Sequence, residues 1–262
     1  MKIHDFKRKK EQKQKISMLT CYDYPSACII AESTIDCVLM GDSIAMSMYG
    51  HNTTVMATLE MMVPHTAAVA RGLSTQFLIS DLPFLTYRAS LAETVHAVTQ
   101  LMQAGAHAIK VEGADVDLLQ TIQHLVHSGI PVIGHIGLTP QSVHQLGGHR
   151  VQGKIESQAQ LLIQQARALE EAGCFALVIE CVPQVLAKTI TDTLEIPTIG
   201  IGAGVDTDGQ VLVWHDILGL HSDLNLRFVK QFTEGKRIFL DAINAYAEQV
   251  HHAHFPTPNH AF

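Results

Sequence analysis

Short apolar runs alternate with longer amphipathic segments along most of this chain. Each run is rich in β-branched residues and is bounded by Gly, Pro or Asp, which favours a strand over a helix. The runs are almost continuously hydrophobic, as is typical of parallel strands that are covered on both faces. Eight strands are predicted in this way: Ile16–Thr20, Asp36–Met40, Gln76–Ser80, Ala108–Glu112, Pro131–His135, Phe175–Cys181, Thr198–Ile201 and Val211–Trp214.

Amphipathic segments with helical periodicity fill most of the intervals between the predicted strands. Several of them end at a glycine, such as Gly105, Gly129 and Gly173, which is the usual residue after the last turn of a helix. A further amphipathic helix is predicted at Val229–Val250, and the His-rich tail after it is interpreted as polar surface. The other predicted helices are Pro25–Ser33, Leu59–Arg71, Ala92–Ala104, Asp115–His127, Ser157–Ala172 and Gln184–Leu194.

Strands that alternate with helices predict parallel pairing through right-handed crossovers. Eight such units in a chain of 262 residues predict an α/β fold, a (β/α)8 TIM barrel. We interpret residues 1–262 as a single barrel domain with a short N-terminal arm and a C-terminal helix plus tail. The interval between Ile201 and Val211 has no room for a full helix, so the seventh crossover must be abbreviated. An open, doubly wound sheet is the alternative architecture.

Composition and charge exclude several classes of protein. The chain is 47% hydrophobic and 16% charged, which is enough apolar material for a sizeable core. A net charge of −7 argues against nucleic acid as a partner, and the basic cluster from Lys7 to Lys10 is interpreted as a solvated, partly ordered arm. No apolar stretch approaches the roughly 20 residues that span a bilayer, so no membrane partner is expected. Without a signal-peptide pattern or a CxxC pair among the five cysteines, we expect a cytoplasmic protein.

Acidic residues close several of the apolar runs. Asp42, Asp81, Glu112 and Glu180 each stand where a predicted buried strand ends. A carboxylate is costly to bury unless it is paired, protonated or bound to a cation. Barrel enzymes place their working residues at the carboxyl ends of the strands. The four acids therefore predict a metal site or a general base at a common mouth.

Lys110 and Glu112 are two residues apart on one predicted strand, so they share a face. A buried structural ion pair between them is one interpretation. Asp42 and Asp81 on the two preceding strands weaken it, because three carboxylates against one lysine need another cation. A hard divalent ion such as Mg²⁺ suits a set of oxygen ligands. Glu180 lies two strands further on, so it is either a fourth ligand or, as its separation favours, a base facing the substrate.

The sequence gives weaker evidence of a functional role for other polar residues near the strand ends. Ser43 follows Asp42 directly and is either a hydroxyl donor or a simple turn residue. His135 is either a neutral imidazole that donates to a bound oxyanion or a satisfied core histidine. Thr139 followed by Pro140 predicts the start of a helix. The segment Gly200–Gly204 is a poor dinucleotide motif, so we expect a tight turn or a close backbone approach there.

Seven segments of the chain occur in order, and together they form a specific pattern. They are MLTCYDYPSA, VLMGDSIAM, SDLPFLTY, AIKVEG, GHIGLTPQSVHQLGG, ALVIECVP and IPTIGIGAGVDTDGQVLVWHD. Together they closely resemble ketopantoate hydroxymethyltransferase, and the similarity covers roughly Ile16 to Tyr246. The resemblance implies a barrel of the phosphoenolpyruvate/pyruvate-like superfamily and a homodecameric assembly.

The resemblance also implies a reaction. Members of this family transfer a hydroxymethyl group from 5,10-methylenetetrahydrofolate to 3-methyl-2-oxobutanoate, giving 2-dehydropantoate (ketopantoate) in the first step of pantothenate biosynthesis. The implied cofactor is one Mg²⁺ per subunit, which stabilises an enolate of the keto acid. Carried over by position, the implied residues are Asp42, Asp81 and Glu112 for Mg²⁺, Asp42, Ser43, Asp81 and Lys110 for the keto acid, and Glu180 as the proton acceptor.

Two other functions remain open on the sequence. A carbon–carbon lyase of the same superfamily would use Mg²⁺ and an enolate but no folate. A barrel kept as a binding or assembly module would have no reason to hold a complete set of acids, which disfavours it. Product formation with and without methylenetetrahydrofolate distinguishes the transferase from the lyase.

Overall fold

The structure, a computed structural model, describes residues 1–220 and 226–262. In this part of the chain eight parallel strands follow one another around a closed barrel, and the last strand pairs with the first. The predicted (β/α)8 barrel is confirmed, and its closure excludes the open doubly wound sheet. The strands are β1 (Ile16–Thr20), β2 (Cys37–Met40), β3 (Phe77–Asp81), β4 (Ala108–Glu112), β5 (Val132–Gly137), β6 (Ala176–Glu180), β7 (Thr198–Ile201) and β8 (Gly209–Leu212).

Most of the helices lie between the strands, close to the predicted positions. Asp23, Thr58, Ser90 and Asp115 precede four of them, and each side chain accepts a backbone N–H from the first turn. Single turns of 3₁₀ helix lie at Thr54–Met56, Pro140–Ser142 and Pro258–His260. The helices of the described residues are α1 (Ile3–Glu11), α2 (Tyr24–Ala31), α3 (Ile44–Ser47), α4 (Leu59–Gly72), α5 (Leu91–Gln103), α6 (Val116–His127), α7 (Glu156–Glu171), α8 (Gln184–Thr193), α9 (Trp214–Ile217) and α10 (Gly235–His251).

The last strand and the C-terminal helix do not begin where the pattern predicted. The strand β8 ends at Leu212, before the end of the predicted range Val211–Trp214, because Trp214 already opens α9. Helix α10 begins at Gly235 rather than Val229. Its first N–H donates to the carbonyl of Leu218, at the end of α9, and residues 229–234 contain no helix.

Three local predictions have different outcomes. The helix expected after Thr139 is a single 3₁₀ turn, and the Thr139 side chain makes no capping hydrogen bond. Cys181 lies just beyond β6 rather than inside it, with a left-handed backbone (φ 47°) and partial burial. The abbreviated seventh crossover is confirmed, since residues 202–208 contain no helix and Gly202 and Gly204 form a turn with positive φ.

The interior of the barrel is apolar towards the amino ends of the strands. Inward-facing positions recur every second residue along each strand, so each strand contributes one or two side chains to this core. Small residues, Cys37 among them, are fully buried there. The cluster comprises Phe6, Ile16, Met18, Cys37, Leu39, Phe77, Ile79, Ala108, Ile133, Ala176, Val178, Ile199 and Val211.

The basic N-terminal arm is a helix that packs on this core, so its interpretation as a solvated, partly ordered arm was wrong. Phe6 of α1 is fully buried and makes edge-on ring contacts with Phe77 and Phe175, at centroid distances of 5.3 and 5.0 Å. On the same helix Lys9 pairs with Asp36 at 2.6 Å, and Lys10 pairs with Asp208 at 2.8 Å. The free energy gained by burying the Phe6 ring therefore outweighs the tendency of the neighbouring lysines to keep this segment in solvent.

The chain divides into two compact units, Met1–Leu212 and Val213–Phe262. The first unit contains the barrel and α1. The second contains α9, α10 and the 3₁₀ turn Pro258–His260, and α10 exposes several large apolar side chains: Ile238, Phe239, Leu240, Ile243, Tyr246 and Val250. That residues 1–262 fold as one domain stays a prediction. Among the described residues, no helix combines the length and the apolar character needed to cross a membrane.

Substitution of Phe6 tests the packing of α1. Phe6→Ala should lower the free energy of unfolding by roughly 3 kcal/mol, because it removes a buried aromatic ring and leaves a cavity. Urea unfolding followed by circular dichroism measures this loss. Lys7→Ala, on the exposed face of the same helix, is the matched control and should unfold like the wild type. Equal behaviour of the two variants would mean that α1 does not pack on the barrel.

Candidate active site

Four neighbouring strands place polar side chains on the inner face of the barrel at their carboxyl ends. Residues two apart along a strand point to the same side, so each apolar row continues into a polar layer. The register places Asp81 of β3 beside Lys110 of β4, and Glu112 of β4 beside His135 of β5. The rows are Phe77, Ile79 and Asp81 on β3; Ala108, Lys110 and Glu112 on β4; Ile133 and His135 on β5; and Ala176, Val178 and Glu180 on β6.

Lys110 is buried within this polar layer. Its Nζ lies 3.4 Å from Oδ1 of Asp81 and 3.4 Å from Oε1 of Glu112. Burial by itself lowers the pKa of Lys110, but the carboxylates of Asp81, Glu112 and Asp42 outweigh it and raise the pKa above its ordinary value. The expected Lys110–Glu112 pair is present, and because Asp81 shares the same ammonium it is not an isolated ion pair.

Asp42 lies two residues beyond the end of β2 and packs against Asp81. Its backbone N–H donates to Oδ2 of Asp81 over 3.0 Å, and both carboxylates are buried. Burial raises the pKa of both side chains, and for Asp42 the nearby charges of Asp81 and Glu112 raise it further. Gly41 leaves room for the side chain of Ser43, because a Cβ there would lie 2.8 Å from the hydroxyl oxygen of Ser43.

Glu112 has both carboxylate oxygens engaged. Oε1 faces Lys110 and also lies 3.4 Å from Nδ1 of His135, while Oε2 accepts the backbone N–H of Gln141 over 3.0 Å. Burial raises the pKa of Glu112, but Lys110 and His135 together outweigh it and lower the pKa to about 2. Glu112 is therefore ionised at any physiological pH.

His135 lies between two acids. Its Nδ1 faces Glu112, and its Nε2 lies 3.3 Å from Oε2 of Glu180, without hydrogen-bond alignment to any described residue. Burial and Lys110 lower the pKa of His135, but the two glutamates outweigh them and raise it to about 9. The ring is thus held by the protein, and its contact with a substrate stays a prediction.

Glu180 is the more accessible acid of this group. Its side chain is 15% exposed, whereas those of Asp81 and Glu112 are 2% exposed. The backbone beside it is tightly packed, since a Cβ on Gly137 would lie 2.2 Å from the Glu180 carbonyl oxygen. Glu180 therefore stands at the open side of the mouth, separated from the other carboxylates by His135.

Ser43 is tied to a residue that the sequence pattern did not single out. Its hydroxyl lies 2.8 Å from the hydroxyl of Tyr22, which is completely buried just after β1. Burial raises the pKa of Tyr22 to about 12, so the phenol stays neutral and orients the Ser43 hydroxyl. The signal for Tyr22 was its place in MLTCYDYPSA, directly after the carboxyl end of a strand.

Gln141 and Tyr87 are two further buried polar residues that the sequence pattern missed. Nε2 of Gln141 donates to Oδ2 of Asp42 over 2.8 Å, and the Tyr87 hydroxyl donates to Oε1 of Gln141 over 2.7 Å. Both lie in loops at the carboxyl ends of strands, within the segments GLTPQ and SDLPFLTY. That position in a barrel was the signal available for them.

The donor chemistry of the mouth suits a hard divalent cation. Within residues 1–220 and 226–262, no group of three or more His, Cys, Asp and Glu side chains has the arrangement of a metal site. Asp42, Asp81 and Glu112 nevertheless contribute three carboxylates against one lysine, and Oδ1 of Asp81 has no hydrogen-bond partner in the described chain. Burial, followed by the charges of Asp81 and Glu112, raises the pKa of Asp42, and a cation at this position would favour its ionised form.

Solved structures with a similar backbone share the barrel. Phosphonopyruvate hydrolase, solved in complex with oxalate and Mg++, has a TM-score of 0.63, with 99% of this chain and 93% of that chain covered at 13% identity. For 2,3-dimethylmalate lyase, a member of the PEP mutase/isocitrate lyase superfamily, the TM-score is 0.61, with coverage of 99% and 90% at 14% identity. At these identities the likeness concerns the fold.

Sequence comparison is more specific. A family model described as ketopantoate hydroxymethyltransferase matches residues 1–258. A 3-methyl-2-oxobutanoate hydroxymethyltransferase of Legionella pneumophila (strain Paris) is 66% identical over 262 residues, which are 100% of both chains. The resemblance seen in the seven sequence segments is therefore confirmed. The chain belongs to the ketopantoate hydroxymethyltransferase family.

Proposed function

We propose that this chain transfers a hydroxymethyl group from 5,10-methylenetetrahydrofolate to 3-methyl-2-oxobutanoate. The product is 2-dehydropantoate, and the reaction is the first step of pantothenate biosynthesis. The family model and the full-length relative support this reaction class. The observation that carries the proposal is the buried group of Asp42, Asp81, Glu112 and Lys110, with Glu180 at its more accessible side.

Asp42, Asp81 and Glu112 are the residues that would hold Mg²⁺, because carboxylate oxygens and an excess of negative charge suit this ion. When bound, Mg²⁺ supplies Lewis-acid polarisation of the keto acid and so makes its C3 proton more acidic. Lys110 keeps its ammonium charge between Asp81 and Glu112, and this charge offsets the carboxylate that the keto acid brings into a buried site. Ser43, ordered by its contact with Tyr22, donates its hydroxyl to the keto acid.

Glu180 is the proposed general base. Its Oε2 faces His135, which limits the rotation of the side chain and leaves Oε1 for the proton on C3 of the keto acid. The electron pair of the broken C–H bond forms the new bond to the methylene carbon of the folate. Both C–N bonds of the methylene bridge break and one water supplies the hydroxyl of the product. The two freed nitrogens take up two protons, one from Glu180 and one from that water, and tetrahydrofolate leaves.

A homodecamer and a cytoplasmic location are part of the proposal. The exposed apolar side chains of α10 support self-association, because apolar patches on a surface mark contacts with other molecules. Free thiols on the cysteines support a reducing compartment. Light scattering on the purified protein measures the number of subunits directly.

Product formation tests the reaction itself. Protein supplied with Mg²⁺ and 3-methyl-2-oxobutanoate should form 2-dehydropantoate only when 5,10-methylenetetrahydrofolate is added, because the folate is the proposed source of the new carbon. Mass spectrometry of the products measures this requirement. Cleavage of a larger 2-hydroxy acid without folate, and no product with it, would favour the lyase instead.

The role of Glu180 is tested without the folate. Glu180→Gln should slow exchange of the C3 proton of 3-methyl-2-oxobutanoate into deuterated water by at least about 100-fold, because the base is lost. Proton NMR follows the exchange, and calorimetry should show that Mg²⁺ still binds. Glu195→Gln, which changes an exposed glutamate, is the control and should exchange normally. Exchange at the wild-type rate in Glu180→Gln would rule this residue out as the base.

Asp81 is tested through metal affinity. Asp81→Asn should weaken Mg²⁺ binding at least about tenfold, since it removes one charged ligand, and activity should partly return at high Mg²⁺. Calorimetry measures the affinity. Asp36→Asn is the matched control, because Asp36 pairs with Lys9 at the opposite end of the barrel and its loss should not change Mg²⁺ binding. An unchanged titration for Asp81→Asn would remove Asp81 from the set of ligands.

A further inference from the structure

Gln141 lies in the 3₁₀ turn after β5 and joins three loops at the mouth of the barrel. Its Nε2 donates to Oδ2 of Asp42 over 2.8 Å and to the carbonyl of Leu82 over 3.0 Å. Its Oε1 accepts from the Tyr87 hydroxyl over 2.7 Å, and its backbone N–H donates to Oε2 of Glu112 over 3.0 Å. The amide therefore uses both of its N–H groups and its oxygen, inside a site where unmet polar groups are costly.

The direction of the Gln141 amide follows from the nature of its partners. The Leu82 carbonyl is a pure acceptor, so the NH₂ group must be on that side, and its second hydrogen then points to Asp42. The Tyr87 hydroxyl accepts the backbone N–H of Glu112 over 3.3 Å and gives its own hydrogen to Oε1 of Gln141. Tyr87 thus prevents the amide from turning its oxygen towards the Asp42 carboxylate.

The N–H donors that Gln141 supplies are neutral, so they can orient the carboxylates of Asp42 and Glu112 without an added positive charge. One oxygen of Asp42 and one oxygen of Glu112 are each fixed by an N–H from Gln141, which adds no positive charge to either group. A lysine or arginine at this position would fix the same oxygens but would also repel a cation. A neutral amide orients the ligands and keeps their charge available.

We propose that Gln141, with its amide direction set by Tyr87, is a positioning residue that orients Asp42 and Glu112 for a divalent cation. Groups that hold metal ligands in place typically contribute 10- to 100-fold to metal affinity. The inference rests on the proposed function for the identity of the ion, and its geometric basis is the set of four hydrogen bonds around Gln141.

The test is titration with Mg²⁺ alone, measured by calorimetry without substrate. Gln141→Leu keeps the size of the side chain and removes its three side-chain hydrogen bonds, while the backbone N–H to Glu112 remains, so the dissociation constant should rise about 10- to 100-fold through the loss of orientation at Asp42. Activity should return towards the wild-type kcat when Mg²⁺ is saturating, because Gln141 acts through the ligands rather than on the substrate. A change of less than twofold in the dissociation constant of the folded variant would overturn the proposal.

Gln76→Leu is the matched control. Gln76 is as buried as Gln141 and its amide likewise bonds backbone groups, but it lies at the amino end of β3, away from the mouth. Gln76→Leu should lower the melting temperature without changing the dissociation constant for Mg²⁺. If both variants weaken Mg²⁺ binding equally, the effect of Gln141 is a general loss of stability and the proposal is wrong.

Tyr87→Phe keeps the question testable if Gln141→Leu does not fold, since it removes a single oxygen atom. It should weaken Mg²⁺ binding by a few-fold, and adding Tyr87→Phe to Gln141→Leu should cost less than it does in the wild type, because both act on Asp42 through one amide. Full additivity would show that Tyr87 does not act through Gln141.

A wild-type protein that binds no Mg²⁺ would contradict the proposed function, whereas equal binding by wild type and variants contradicts this inference alone.

Discussion

The rest of the site depends on the ion pairs that the buried ammonium of Lys110 makes with Asp81 and Glu112. A charge inside a barrel is tolerated only when opposite charges lie close by, because desolvation costs several kcal/mol per ion. Asp81 and Glu112, each 3.4 Å from Nζ, meet this requirement. They do so because β3 and β4 are paired with Asp81 opposite Lys110, and because Glu112 stands two residues further along the same face. A shift of one residue in this register would turn Lys110 towards the covering helices.

More carboxylates surround the ammonium of Lys110 than it can pair with, and these carboxylates differ in pKa and in exposure. Burial and mutual repulsion raise the pKa of Asp42, whereas Glu112 stays ionised because Lys110 and His135 outweigh its burial. The carboxylates of Asp42 and Glu112 are further oriented by neutral donors of Gln141, which add no positive charge. On the other side of His135, Glu180 is less buried than Asp81 and Glu112. One layer of side chains thus contains a buried group of carboxylates and, on the other side of His135, a more accessible acid.

The alternation of inward- and outward-facing residues along the strands forms the polar layer at their carboxyl ends. It also forms the apolar core at their amino ends. Inward-facing residues at the amino ends of the strands are apolar and close-packed, and Phe6 of α1 is packed among them. The sequence pattern did not predict this, because Phe6 is one aromatic residue among lysines, and lysine-rich segments are usually solvated. Phe6 contacts Phe77 and Phe175, residues that are far apart in the chain and meet only when the barrel closes.

Local patterns in the sequence determined the strands, most of the helices and the acids at the strand ends. The reason is that strand alternation and burial are short-range properties, so Asp81, Glu112 and Glu180 could be placed from their own neighbours. Tertiary structure decided which side chains share a hydrogen bond. Gln141 reaches Asp42 across 99 positions of the chain, and no periodicity encodes such a distance. The orientation of the carboxylates, and with it the fine geometry of the site, arises only when distant loops are brought to one end of a closed barrel.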